Sequence, residues 1–252
     1  MKKSIHRTLF LLPFFLMSFM FGLHKKTTIW LIGDSTVCNY NPAQFPLTGW
    51  GMPFANYFDS SVIIQNKARG GRSTGTFLAE GLWTPIKDHL QKGDYVFIQF
   101  GHNDEAKNYP DRYTKPEDYR KNLERFINDT KEKGAIPVLI TPVSRRKFDA
   151  GGKALETHAI YSPIVREVAK NMNVPLIDLD QMSINLYQKF GPENSKLLFL
   201  LLKPGEEPNY PEGMLKNATH FNEYGARHIA ELVLEGIRNA NLPLAEHITG
   251  NR

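Results

Sequence analysis

Four short polar segments hold residue types that could carry out acyl transfer. Gly33-Asp34-Ser35-Thr36 presents a serine hydroxyl at a tight turn, with a backbone N–H able to face an oxyanion. Taken alone, the same residues suit a helix N-cap. Gly70-Gly71-Arg72-Ser73 has glycines that let the backbone approach a substrate closely, or that simply make a turn. Gly101-His102-Asn103-Asp104 supplies an amide donor in Asn103, while His102 reads as a structural histidine. Asn217-Ala218-Thr219-His220 places an imidazole just ahead of a helix. A serine and a histidine that meet make a nucleophile and its general base. N–H donors beside them would hold the developing oxyanion.

These segments become a site only if a fold brings them together. Thr27–Gly33, Val62–Asn66, Asp94–Phe100, Ile136–Thr141 and Val174–Asp178 read as strands, mostly near-continuous apolar runs. Such runs fit a parallel sheet covered by helices on both faces. Helical patterns alternate with them. Thr114-Lys115-Pro116-Glu117 has capping-box spacing, and Tyr119, Leu123, Phe126, Ile127 and Thr130 then share one face up to Gly134. A second helix spans 158–172. A third is capped by Asn222, with Tyr224, Ile229, Val233 and Ile237 facing inward. The alternation predicts a three-layer α/β/α domain. In the flavodoxin-like order 2-1-3-4-5, strands one and three are neighbours at the switch point, which would set Asn103 beside Ser35. Residues 191–216, rich in Pro and Gly, are expected to be irregular and to shape a rim of the site, with the apolar run Leu197–Leu202 in the core.

Composition bounds the function classes. The 252 residues are 41% hydrophobic and 23% charged, which fits a globular domain and excludes disorder and a multi-span membrane protein. One cysteine, Cys38, excludes an intrachain disulfide framework and a cysteine-cluster metal site. Lys2, Lys3 and Arg7 precede 16 uncharged residues, Thr8 to Leu23, the layout of a secretory signal peptide. We expect residues 1–23 to be that signal, 24–252 to be one domain, and the protein to be periplasmic or extracellular, with no stable membrane insertion after cleavage. Without those 23 residues the formal charge falls from +5 to +2, which does not argue for a nucleic-acid partner.

Taken together, in this chain order, the motifs GDST (33–36), GWG (49–51), GGRS (70–73), GHND (101–104) and ATHFNEYGA (218–226) resemble the SGNH (GDSL-like) hydrolase superfamily, and within it the rhamnogalacturonan acetylesterase-like proteins. The resemblance runs from Thr27 to Asn239. It implies Ser35 as nucleophile, His220 as general base, and Gly71 and Asn103 as oxyanion donors with the Ser35 N–H. It also implies an acetylated pectic polysaccharide or oligosaccharide as substrate, with no metal or other cofactor. Trp50, Arg72 and Tyr210 are candidate sugar contacts, and Arg145-Arg146-Lys147 is a local basic cluster that reads best as a solvated loop.

One position departs from the pattern. The family carries an aspartate three residues before the histidine, and here Asn217 stands there. An amide oxygen can accept the imidazole N–H but brings no charge. In a serine protease the equivalent exchange costs about 10⁴ in turnover through the wrong tautomer. Three readings follow: Asn217 orients His220; a backbone carbonyl, or a carboxylate such as Asp178, Asp180 or Glu223, does so instead; or the chain is a weakened or non-catalytic carbohydrate-binding protein. A lipolytic esterase on the same scaffold is a further alternative, disfavoured by the polar, proline-rich 191–216 segment.

Overall fold

The computed structural model describes residues 26–249; the signal peptide expected at 1–23 lies outside the described residues. The strands are β1 (Thr27–Gly33), β2 (Val62–Asn66), β3 (Tyr95–Gln99), β4 (Ile136–Ile140) and β5 (Leu176–Ile177). They form one parallel sheet in the expected order β2-β1-β3-β4-β5. The helices are α1 (Gly51–Phe54), α2 (Thr74–Ala79), α3 (Trp83–His89), α4 (Pro116–Glu132), α5 (Tyr161–Asn171), α6 (Leu179–Asn194) and α7 (Glu223–Asn239).

Strand side chains alternate between two apolar layers, as the period of two requires. Ile29, Leu31, Phe97, Val138 and Ile177 pack with Ile229, Val233 and Ile237 of α7. Ile32, Val96, Ile98 and Leu139 pack on the other face with Phe126 and Ile127 of α4 and Val165 and Val168 of α5. Among the described residues no helix is long and apolar enough to cross a membrane.

Several local expectations need correction. Asp94 is not part of β3: its carboxylate accepts from the Thr28 and Gln91 N–H groups and from the Trp30 indole. β5 is only two residues long, because Pro175 has no N–H to donate and Asp178 turns away to meet Thr141 and Arg166. Thr114 does not cap α4; its hydroxyl donates to Ser73 Oγ, and Lys115 takes the cap position with Pro116 as the first helical residue. Tyr224 faces solvent at 50% exposure, since the buried stripe of α7 runs through Ala226, Ile229, Val233 and Ile237 on the opposite side. The irregular segment begins later than expected. Gly191, at φ 75°, breaks α6, but Pro192 restarts a helical turn and Ser195–Leu198 forms a 3₁₀ turn. Of the Leu197–Leu202 run, Leu198, Phe199, Leu200 and Leu202 are buried, whereas Leu197 is exposed.

Candidate active site

The turn after β1 sets the position of Ser35. A Cβ on Gly33 would lie 2.5 Å from the Gln99 carbonyl oxygen and 2.8 Å from Val37 Cγ2, so only glycine fits where the strand ends against β3. Asp34 folds back, its Oδ1 accepting from the Thr36 N–H at 2.9 Å and the Thr36 hydroxyl at 2.8 Å. Thr36 Oγ1 accepts from Gln99 Nε2 at 2.7 Å, and Gln99 Oε1 accepts from the Trp50 indole at 2.8 Å. A chain of hydrogen bonds therefore braces the turn from behind. This corrects the sugar-contact expectation for Trp50, whose ring is 1% exposed and belongs to the core. The half-buried Tyr40 hydroxyl donates to the Ser35 carbonyl at 2.7 Å.

His220 reaches this turn from the segment before α7. Its Nε2 lies 3.0 Å from Ser35 Oγ. Its Nδ1 lies 3.1 Å from Asn217 Oδ1, which also accepts from the backbone N–H of His220 at 2.9 Å and of Thr219 at 3.2 Å. Those two backbone donors require an oxygen opposite them, so they fix which way the Asn217 amide points. The amide nitrogen is left to face Met214 Sδ at 3.1 Å. With an acceptor at Nδ1, the proton of neutral His220 sits there, and the Nε2 lone pair faces the Ser35 hydroxyl.

The carboxylates named as alternative orienters are engaged elsewhere. Asp178 and Asp180 both bind Arg166, and Glu223 pairs with Arg227. Burial, and then the Arg145 cation, hold the His220 pKa below the ordinary histidine value.

The loop after β3 brings Asn103 toward the same place. Asn103 is 8% exposed, with Nδ2 donating to the Arg72 carbonyl at 3.0 Å and Oδ1 accepting from Arg112 Nη1 at 3.3 Å. Arg112 stacks on Tyr109, 4.7 Å from its ring centroid. Sequence reading missed Arg112, because an isolated arginine in a turn carries no motif. Gly71 has φ 77°, and a Cβ on it would meet only Arg112 Nη1, at 3.9 Å. Gly70 is the glycine packed on the nucleophile, where a Cβ would lie 3.7 Å from Ser35 Cβ. Asp104 anchors the loop to α2, accepting from the Thr74 N–H at 2.9 Å and its hydroxyl at 2.6 Å. Burial pushes the Asp104 pKa up to about 7.

His102 is buried with its ring 4.5 Å from that of His158. In the basic cluster Lys147 is exposed, whereas the two arginines are tied down. Arg145 binds Glu105, which also meets His158 Nδ1 at 3.0 Å, and Arg146 binds Ser195 Oγ and the Pro192 carbonyl. Arg72 is tied to Glu80 and to the Gly70 carbonyl. The Tyr210 hydroxyl donates to the Gln44 carbonyl at 2.9 Å, pinning the proline-rich loop to the 42–46 turn. A cavity of about 600 Å³ opens against Asn217, Thr219 and His220.

Comparison with known proteins yields a match to the GDSL-like lipase/acylhydrolase family over residues 31–228. The chain is 43% identical to the rhamnogalacturonan acetylesterase RhgT of Bacillus subtilis (strain 168), over 90% of this chain and 96% of that one. It is 37% identical to the probable rhamnogalacturonan acetylesterase YesY of the same strain, over 89% and 98%. Among solved structures, Bacillus subtilis YxiM aligns with a TM-score of 0.75 at 26% identity, covering 86% of this chain and 58% of that one. The acetylxylan esterase Axe2 of Geobacillus stearothermophilus shares the fold at a TM-score of 0.57 and 17% identity, over 84% and 94%.

Proposed function

The chain belongs to the GDSL-like lipase/acylhydrolase family, and from that membership we propose a serine esterase that removes acetyl groups from rhamnogalacturonan by way of an acetyl-Ser35 intermediate. The substrate class rests on the names of the two Bacillus relatives. The observation that carries the chemistry is the Asn217–His220–Ser35 line, with 3.1 Å and 3.0 Å between successive partners.

Ser35 Oγ attacks the acetyl carbonyl as its proton passes to His220 Nε2. The resulting oxyanion is received by the Ser35 and Gly71 N–H groups and by the Asn103 amide. Loss of one such donor costs about 10²–10³ in turnover. The imidazolium returns the proton to the departing sugar hydroxyl. Water, deprotonated by the same nitrogen, then releases acetate and frees Ser35. Asn217 keeps the imidazole in the productive tautomer, so the protease penalty for the wrong tautomer does not transfer to this geometry. What the amide lacks is the charge that would stabilise the imidazolium. This geometry supports a working enzyme over a purely sugar-binding protein. The leader-like residues 1–23 support export, which the N-terminal sequence of the mature protein would test.

Acetate release from acetylated rhamnogalacturonan fragments, wild type beside Ser35→Ala, tests the reading, with long-chain esters as the comparison. Release by wild type alone, with acetyl favoured over long acyl chains, is expected. Equal release by Ser35→Ala would overturn the nucleophile, and a preference for long chains would overturn the acetylesterase assignment.

A further inference from the structure

Beyond the 600 Å³ cavity at His220 lies a second, of about 990 Å³, and the two share Leu215, Lys216 and Ala218 as a common wall. Its floor and sides bring together three of the large apolar side chains that face solvent: Leu197 at 62%, Leu215 at 65% and Tyr224 at 50% exposure. Exposed apolar groups gathered in a groove, rather than scattered singly, mark a binding surface. Tyr224 owes its outward position to the stripe of α7, and its ring is held edge-on by His228 at 4.6 Å.

The charges lining the groove are unequal, five cations (Arg146, Lys196, Lys203, Lys216 and Arg227) against three carboxylates (Glu206, Glu207 and Glu223). Arg227 is paired with Glu223, and Lys196 with Glu193. Arg146 also lines it, with hydrogen bonds to the Pro192 carbonyl and the Ser195 hydroxyl and a favourable electrostatic interaction with Glu193. Lys203 and Lys216 form no ion pair among the described residues. Glu206 and Glu207 are the opposing carboxylates, and Glu206 Oε2 accepts from the Lys203 N–H at 2.7 Å.

We propose that this groove binds the polymer flanking the acetylated residue, with Lys203 and Lys216 meeting uronate carboxylates while Leu197, Leu215 and Tyr224 lie against the apolar faces of the sugar rings. The groove meets the cavity at His220 along Leu215, Lys216 and Ala218, so a chain seated in it would continue toward the proposed base. The proposal rests on the acetylesterase reading for its choice of polymer but adds a binding site separate from the reacting groups.

Calorimetry with a deacetylated rhamnogalacturonan oligosaccharide tests it independently of hydrolysis. Wild type is expected to bind the fragment more weakly as salt rises, since charge pairs are screened. Lys203→Gln/Lys216→Gln should bind about tenfold more weakly with a flattened salt dependence, at the scale expected for two exposed charge pairs. Hydrolysis of a small acetate ester should be unchanged in the variant, which also shows that it folds. Lys203→Arg/Lys216→Arg should restore most of the binding. Equal affinity of wild type and the Gln variant, no binding by wild type, or equal binding of a neutral xylo-oligosaccharide would each overturn the groove. Failure of wild type to release acetate, with the fragment still bound through the lysines, would overturn the esterase reading instead.

Discussion

At the scale of residues, the decisive group is an amide where a carboxylate is usual. Asn217 Oδ1 gathers three N–H groups, two of them from the backbone, so its orientation survives without charge. Asn217→Asp adds that charge, and a charge-assisted hydrogen bond exceeds a neutral one by roughly 1–1.5 kcal/mol, or about tenfold in turnover. The same variant should raise the His220 pKa. In the wild type, burial and Arg145 keep the base neutral below the ordinary histidine range. The acid limb of its kcat/KM profile therefore lies at low pH, and in Asn217→Asp it should move upward. An unmoved limb would show that another group titrates. Arg112 is expected to act through Asn103 by fixing its amide oxygen. Arg112→Ala should lower kcat about tenfold on small esters with little change in KM, on the scale of weakening one oxyanion donor without removing it, and Arg112→Lys should recover part of the loss. Ser35, His220, Asn103 and Asn217 were legible because each stands in a motif. Arg112, Tyr40 and Gln99 were not, because what they touch depends on turns and strand neighbours far apart in sequence.

At the scale of elements, the sheet was legible from apolar runs buried on both faces, and the switch point followed from the strand order. α6 was not, since the Gly191-Pro192 pair reads as a break and only the three-dimensional kink shows helix on both sides of it. For Trp50 the sequence left sugar contact and core packing equally open, and the buried indole serves the turn beneath Ser35. Trp50→Phe would leave the buried Gln99 Oε1 without its donor, at a cost of about 1–3 kcal/mol. A lower Tm and lower kcat are expected, with affinity for deacetylated oligosaccharide retained; a selective loss of sugar binding would restore the platform role. The Asp104 brace between β3 and α2 has a pH signature. Its folded pKa of about 7 stands above its ordinary 3.8, so the native state holds its proton more tightly and loses stability as pH rises through that window. Asp104→Asn keeps the oxygen facing Thr74 but cannot ionise. Its Tm relative to wild type should climb between about pH 4 and 7, and a constant difference across that range would contradict the assignment.

At the scale of the whole molecule, the fold joins one braced turn, one imidazole presented from the segment before α7 and a groove that shares Leu215, Lys216 and Ala218 with the cavity at that imidazole. The groove was hidden in the sequence because Leu197, Leu215 and Tyr224 come from three separate segments, and the apolar pattern alone assigned two of them inward. On the proposed reading, Ser35 is activated by a histidine oriented by an amide. Labelling with a fluorophosphonate reads this directly and needs no choice of substrate. Stoichiometric modification of Ser35 is expected, at a rate that follows the neutral form of His220 down to pH values below the ordinary histidine range and that collapses in His220→Ala. No labelling of correctly folded wild type, or modification at another serine, would contradict it.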